Sequence, residues 1–153
     1  MKKIQKILEK QNYIRIKLKN IATNHLELKA TINDIKGRFI LDTGASNSCV
    51  GVDLIEFFKL DAKESDTKAA GAGAIDMETQ ESVNNSLKIG NWKTKNCHLV
   101  LFNLSHVNTA LLQHNADKVH GIIGSDILQQ GKAFIDYNKN VLYLKKLKQK
   151  NNI

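Results

Sequence analysis

Phe39-Ile40-Leu41-Asp42-Thr43-Gly44-Ala45-Ser46-Asn47 is the stretch on which the reading of the whole chain turns. Arg38-Phe39-Ile40-Leu41 is apolar on both faces, the pattern of a strand inside the protein. It runs into a carboxylate and then into a glycine-bearing turn. A carboxylate closing a buried strand is costly unless neighbouring donors satisfy it. Thr43 supplies a hydroxyl, and Gly44 lets the chain turn and bring an amide close. On these residues alone, Asp42 is either a functional carboxylate or the head of an Asx-turn bonding its own backbone.

Working outward, short strands predominate. Ile4, Ile7 and Leu8 share one face at helical spacing, which predicts a turn or two of amphipathic helix over residues 2–10. From Tyr13 the period becomes two: Ile14, Ile16 and Leu18 alternate with Arg15, Lys17 and Lys19. Leu26, Leu28, Ala30 and Ile32 then alternate with Glu27, Lys29, Thr31 and Asn33, giving strands with one wet face. Residues 33–37 read as the turn into the Asp42 strand. Beyond the loop, residues 52–60 suit a short helix packing Leu54, Phe57 and Phe58. Residues 61–82 are polar around a small-residue island, Ala69-Ala70-Gly71-Ala72-Gly73-Ala74-Ile75. Further strands are expected at 85–91, ending in a turn that holds Trp92, and at 97–102. Residues 103–119 read as helix or loop. Gly121-Ile122-Ile123-Gly124 precedes a helix at 125–130, and strands at 133–136 and 141–144 close a mainly-β domain.

A length of 153 residues with 42% hydrophobic and 25% charged suits one soluble domain. No apolar run reaches the ~18 residues a membrane span needs, and the start lacks the apolar stretch of a secretion signal. Two cysteines, Cys49 and Cys97, are too few for a disulfide framework and suit half-buried free thiols in a reducing cytoplasm. The net charge of +8 sits at the ends. Residues 1–40 carry +7, residues 41–140 carry −3, and residues 141–153 carry +4. Basic ends can attract an acidic partner, but few aromatics interleave with the lysines, which argues against a nucleic-acid platform. His106, His114 and His120 show no zinc-hydrolase spacing, so no metal is expected, and His25 and His98 read as surface residues. No phosphate loop is present.

The Asp42 stretch has company, and with it the chain resembles the retropepsin-like aspartic proteases, relatives of the pepsins. Phe39 to Asn47 looks like that family's catalytic loop. The stretch 70–75 lies where the family carries its flap, and Gly121-Ile122-Ile123-Gly124 with its helix resembles the apolar-apolar-Gly element behind the active loop. The ending, Lys132-Ala133-Phe134-Ile135-Asp136 through Val141-Leu142-Tyr143-Leu144, is similar to the closing strands of a pepsin lobe. The resemblance spans residues 13–145, leaving 1–12 as a basic extension and 146–153 as a basic tail. It implies a closed, barrel-like single lobe with one or two short helices that works as a symmetric dimer.

In that family two carboxylates share a proton and activate a water, with neither cofactor nor metal. This chain has one Asp-Thr-Gly, so the resemblance implies a homodimer in which Asp42 of each copy completes the pair. The implied activity is peptide-bond hydrolysis of a peptide or protein substrate. Thr43 would brace the partner's loop, and Gly44 would place its amide at the carboxylates. Ala70, Gly71, Ala72 and Gly73 would form the flap, and Ala45, Ser46, Ile122, Ile123 and Gly124 would support the loop. The Asp and Arg that form an ion pair in viral members are replaced here by Ser46 and Ser125, between which a hydrogen bond could stand in. Asp126 reads as a helix N-terminal carboxylate; a monomer pairing Asp42 with Asp126 is the runner-up. The alternative to an enzyme is a module of the same fold that binds peptides or dimerises without cleaving.

Overall fold

The computed structural model describes residues 2–64, 69–71, 74–77 and 79–148. In chain order the elements are α1 (Lys2–Lys10), β1 (Tyr13–Lys17), β2 (Lys19–Asn20), β3 (Leu26–Ile32), β4 (Ile35–Leu41), β5 (Cys49–Gly51), a 3-10 turn (Val52–Leu54), β6 (Lys63–Glu64), β7 (Ala69–Gly71), β8 (Ala74–Met77), β9 (Gln80–Ile89), β10 (Trp92–Phe102), α2 (Ser105–Gln113), β11 (Gly121–Ile123), α3 (Ser125–Gln130), β12 (Phe134–Asp136) and β13 (Val141–Lys145). β3, β4, β11, β5, β10 and β9 pair side by side in that order. β9 then pairs back onto β3, closing a six-stranded barrel.

The alternation read in the sequence explains which faces fill that barrel. Leu28, Ala30 and Ile32 of β3 point inward with Phe39, Leu41, Val50, Leu87, Ile89, Leu99 and Leu101 to form the main core. Outside it, Ile40 and Ile122 join Cys49, Val100, Phe102, Leu104 and Leu111 in a second cluster beneath α2. β4 is therefore apolar on both faces because it separates two cores. β1, β13 and β12 form a separate antiparallel sheet. α1 packs on that sheet by burying Leu8 against Val141 and Tyr143, so residues 2–10 are docked.

Several expectations need correction. The turn before β4 is only Asn33-Asp34, both with positive φ (49° and 69°) as a tight I′ hairpin turn requires, and the strand starts at Ile35. Residues 52–60 form a 3-10 turn followed by turns, with Phe58 buried and Phe57 exposed. The strand expected at 85–91 spans Gln80–Ile89, and the one at 97–102 begins at Trp92. Trp92 is thus fully buried, its indole N–H donating to the Lys145 carbonyl at 2.9 Å and tying the barrel to the outer sheet. Cys49 and Cys97 are fully rather than half buried, as free thiols. Burial pushes both thiols up to about 12. Residues 103–119, read as helix or loop, contain α2, which starts at Ser105, whose N–H donates to Asn103 Oδ1 at 2.8 Å.

Candidate active site

β11 lies between β4 and β5, parallel to the first and antiparallel to the second. The chain leaving β4 must cross the end of β11 before it can enter β5. That crossing is the 42–48 loop, and it fixes Asp42 at the open end of the barrel. The Asp42 N–H donates to the Ile123 carbonyl at 2.9 Å, and the Ser125 N–H donates to the Ala45 carbonyl at 2.7 Å. Gly124 runs so close beneath that a Cβ there would meet the Ala45 carbonyl oxygen at 2.5 Å. At Gly121 a Cβ would collide with the Cys49 carbonyl. Both glycines of Gly121-Ile122-Ile123-Gly124 are thus demanded by close backbone approach.

Within the loop, the Gly44 N–H donates to Asp42 Oδ1 at 2.9 Å, an Asx-turn. Asp42 thus heads an Asx-turn, one of its two readings, and it is solvent-exposed together with Thr43 and Gly44. Ala45 is half-buried against the outer cluster, whereas Ser46 is exposed. Ile123 is buried in the barrel, while Ile122 turns to the outer side with Ile40.

The link between loop and α3 does not run through Ser46 and Ser125 side chains. It runs through Ser48 and Asp126. The Ser48 N–H donates to both oxygens of Asp126 at 3.0 Å, and the Ser48 hydroxyl donates to Oδ1 at 2.7 Å. The same hydroxyl oxygen accepts the Gly124 N–H at 2.8 Å. Asp126 sits in the first turn of α3, where the helix dipole favours a carboxylate. Both of its oxygens are engaged by Ser48, which ties α3 to the end of the Asp42 loop. The sequence signal for this pair was present in the short polar side chain ending the loop and the Asp two residues past Gly124.

Beside Asp42 opens a cleft of about 620 Å³ between the loop joining β2 to β3 and the helix α2. Its apolar lining includes Ile40, Ile122, Val107 and Leu111, and His25, His106 and His114 line it as well. Sequence reading treated these histidines as unconnected surface residues. The signal available was the spacing 106/110/114 with 107/111, one face of a helix. His120 lies elsewhere: its Nδ1 accepts the Arg38 N–H at 2.9 Å, and its ring stacks on Phe57. Burial, helped by the Arg38 guanidinium, lowers its pKa. β7 and β8 pair as an antiparallel hairpin with Gly71 opposite Ala74, so Ala70 and Gly71 lie in strand. Ala72 and Gly73 lie outside the described residues. Among the described residues no group of side chains suits a metal ion, and no helix is long and apolar enough to cross a membrane.

A closed six-stranded barrel with an Asp-Thr-Gly loop crossing an apolar-apolar-Gly strand defines an aspartic-protease lobe. The aspartyl protease family profile matches residues 28–127, and the chain belongs to that family. No curated protein matches it. Among solved structures it is similar to a retropepsin-like aspartic protease from Rickettsia conorii, with 23% identity, a TM-score of 0.57, and 88% of this chain and 90% of that one covered. It is similar as well to the EIAV protease complexed with the inhibitor HBY-793, with 22% identity, a TM-score of 0.52, and 72% and 90% covered. The retroviral protease-like domain of Ddi1 from Leishmania major gives 16% identity, a TM-score of 0.52, and 84% and 98% covered. The fold is that of a single retropepsin lobe.

Proposed function

We propose that the protein is an aspartic endopeptidase that cleaves peptide or protein substrates as a homodimer, with Asp42 of each copy forming the catalytic pair. One observation carries this reading: Asp42 stands solvent-exposed at the barrel's open end, at the edge of a substrate-sized cleft, with the Gly44 amide already on one oxygen. The chain has one Asp-Thr-Gly, and Asp126 is occupied by Ser48. A second carboxylate must therefore come from a second copy related by a two-fold axis.

Two carboxylates held together cannot both ionise cheaply, so they share one proton. The ionised one takes a proton from a water, which attacks the scissile carbonyl. The protonated one donates a hydrogen bond to the developing oxyanion. In this reading Thr43 braces the partner's loop, and Gly44 orients the carboxylates and holds substrate backbone. Ala45, Ser46, Ile122, Ile123 and Gly124 keep the loop in place. The 70–73 segment closes over the extended peptide, and residues 13–145 form the catalytic unit between the 1–12 extension and the 146–153 tail. No metal or cofactor takes part in this scheme. Buried free thiols at Cys49 and Cys97 suit a reducing compartment such as the cytoplasm.

The test is cleavage of a diverse peptide library read by mass spectrometry, wild type beside Asp42→Asn, across mildly acid to neutral pH. Cuts made by wild type and lost in Asp42→Asn, with the fold unchanged by circular dichroism, are expected. Equal cutting by both proteins overturns the assignment of Asp42. Binding of peptides without cuts by either would instead assign a non-catalytic peptide-binding module.

A further inference from the structure

We propose that the cleft beside Asp42 selects substrates with a glutamate side chain next to the scissile bond, a specificity that rests on the peptidase reading above. The cleft has two kinds of lining. Ile40, Ile122, Val107 and Leu111 give it an apolar floor suited to the methylenes of a long side chain. Above that floor stand three imidazoles on two different elements. His106 lies in the first turn of α2, and His114 is the residue that closes its C-terminal end. His25 faces them from the β2–β3 loop. All three are exposed. Thr23 Oγ1 lies 2.7 Å from His25 Nδ1, which leaves Nε2 as that ring's remaining polar atom.

An imidazole always keeps at least one N–H donor, and it becomes cationic without losing that donor when it takes a second proton. Three of them around one cleft offer a side-chain tip donors and positive potential. Among the described lining residues Asp42 is the one carboxylate, and no lysine or arginine is present. Asp42 is committed to the reacting centre, so a basic side chain has no other charged partner there and faces the imidazoles. A carboxylate at the end of two methylenes can rest its stem on the isoleucines and accept from one of the imidazoles, and hydrogen bonds to a charged acceptor are the stronger kind.

The experiment uses peptides identical except for Glu, Gln, Leu or Lys at the position that enters the cleft, taken from a cleaved library sequence or, if none is cleaved, from a bound one. At one fixed, mildly acid pH, kcat/KM is measured for wild type, for the single variants His25→Leu, His106→Leu and His114→Leu, and for the triple variant. Wild type is expected to favour Glu over Lys by at least tenfold and over Leu by severalfold. Those ratios should fall towards one in the triple variant, chiefly through KM. A wild-type ratio at or below one overturns the inference, as does a ratio that the variants preserve. If the triple variant does not fold, the single variants carry the same comparison. Anisotropy of fluorescein-labelled peptides on the Asp42→Asn protein reads the cleft without chemistry. Cleavage without Glu selectivity defeats this inference alone. Glu-selective binding without cleavage defeats the peptidase reading while leaving the acidic preference of the cleft standing, and neither binding selectivity nor cleavage defeats both.

Discussion

Ser48 holds the residue-scale key to the loop, because its amide and hydroxyl together take both oxygens of Asp126 while its oxygen accepts the Gly124 N–H. Removing that carboxylate strands a buried amide and hydroxyl at the crossing of loop and strand. Asp126→Ala should cost about 1.5–3 kcal/mol in urea unfolding, the range for hydrogen bonds to a charged group, and Asp126→Asn, which keeps one acceptor, should cost less. Activity should fall with stability if the brace positions Asp42; an Asp126→Ala protein as stable as wild type removes the brace from the account. The buried thiols give a second prediction, in which sign matters. Burial holds the Cys49 and Cys97 thiols protonated in the fold, their pKa pushed up to about 12 from the ordinary thiol value of 9.0. Above pH 9 the unfolded chain therefore binds fewer protons than the native one, and stability falls as pH rises from there towards 12. Each thiol contributes up to about 1.4 kcal/mol per pH unit. Comparing wild type with Cys97→Ala isolates that share, since every other group is common to both. The folded protein should also resist a thiol reagent at pH 8 that reacts rapidly once urea unfolds it.

Elements were legible where a single period or an unbroken apolar run governed them and obscure where polar residues interrupted the pattern or few residues were buried. The alternation over β3 and the apolar runs of β4 and β11 were readable because each residue's environment follows from the strand pleat. The strands β9 and β10 were cut short in sequence because the residues left out, among them Gln80, Glu81, Asn84, Lys93 and Lys95, are mostly polar. Gly90, with φ of 57°, and Asn91 were rightly seen as a turn, but Trp92 after them belongs to the strand. α2 was legible only as helix or loop because it buries only Leu111. With it went the histidine-lined cleft, a site assembled from two elements distant in sequence. The Asp42 loop was legible because local chemistry states it in consecutive residues. Its geometric cause, a β11 inserted between β4 and β5, is visible only once strand order is known. That insertion makes the element-scale prediction: Gly124→Ala places a methyl against the Ala45 carbonyl, where a Cβ stands at 2.5 Å. Backbone meets backbone there, so relief requires lifting the loop off β11. A loss of about 1–3 kcal/mol is expected, as for overpacking in a tight core, and activity should drop because Asp42 moves with the loop. A Gly124→Ala protein with unchanged midpoint in thermal melting and unchanged activity would show that the loop can shift freely.

At the scale of the whole molecule, the open end of the barrel presents Asp42, Thr43 and Gly44 to solvent, and a single lobe supplies one carboxylate where the proposed chemistry needs two. Symmetry is the economical remedy, since a two-fold axis through the loop duplicates every brace already built around Asp42. On the proposed mechanism, activity is a property of pairs of chains rather than of single chains. Diluting the enzyme should therefore lower specific activity once the concentration falls below the dimer dissociation constant, and analytical ultracentrifugation should show the dimer dissociating over the same range. Mixing gives the sharper test. Wild type and Asp42→Asn are combined in varying proportion, at constant total concentration, and left to exchange subunits. If each active site takes one Asp42 from each chain, mixed dimers are inactive, and activity follows the square of the wild-type fraction: an equal mixture retains about one quarter of full activity. If each chain works alone, the same mixture retains about half. A linear dependence, with exchange confirmed by native mass spectrometry of differently tagged chains, would overturn the shared pair and return attention to an acid within the same lobe; a quadratic one would place the reacting carboxylates on the two-fold axis.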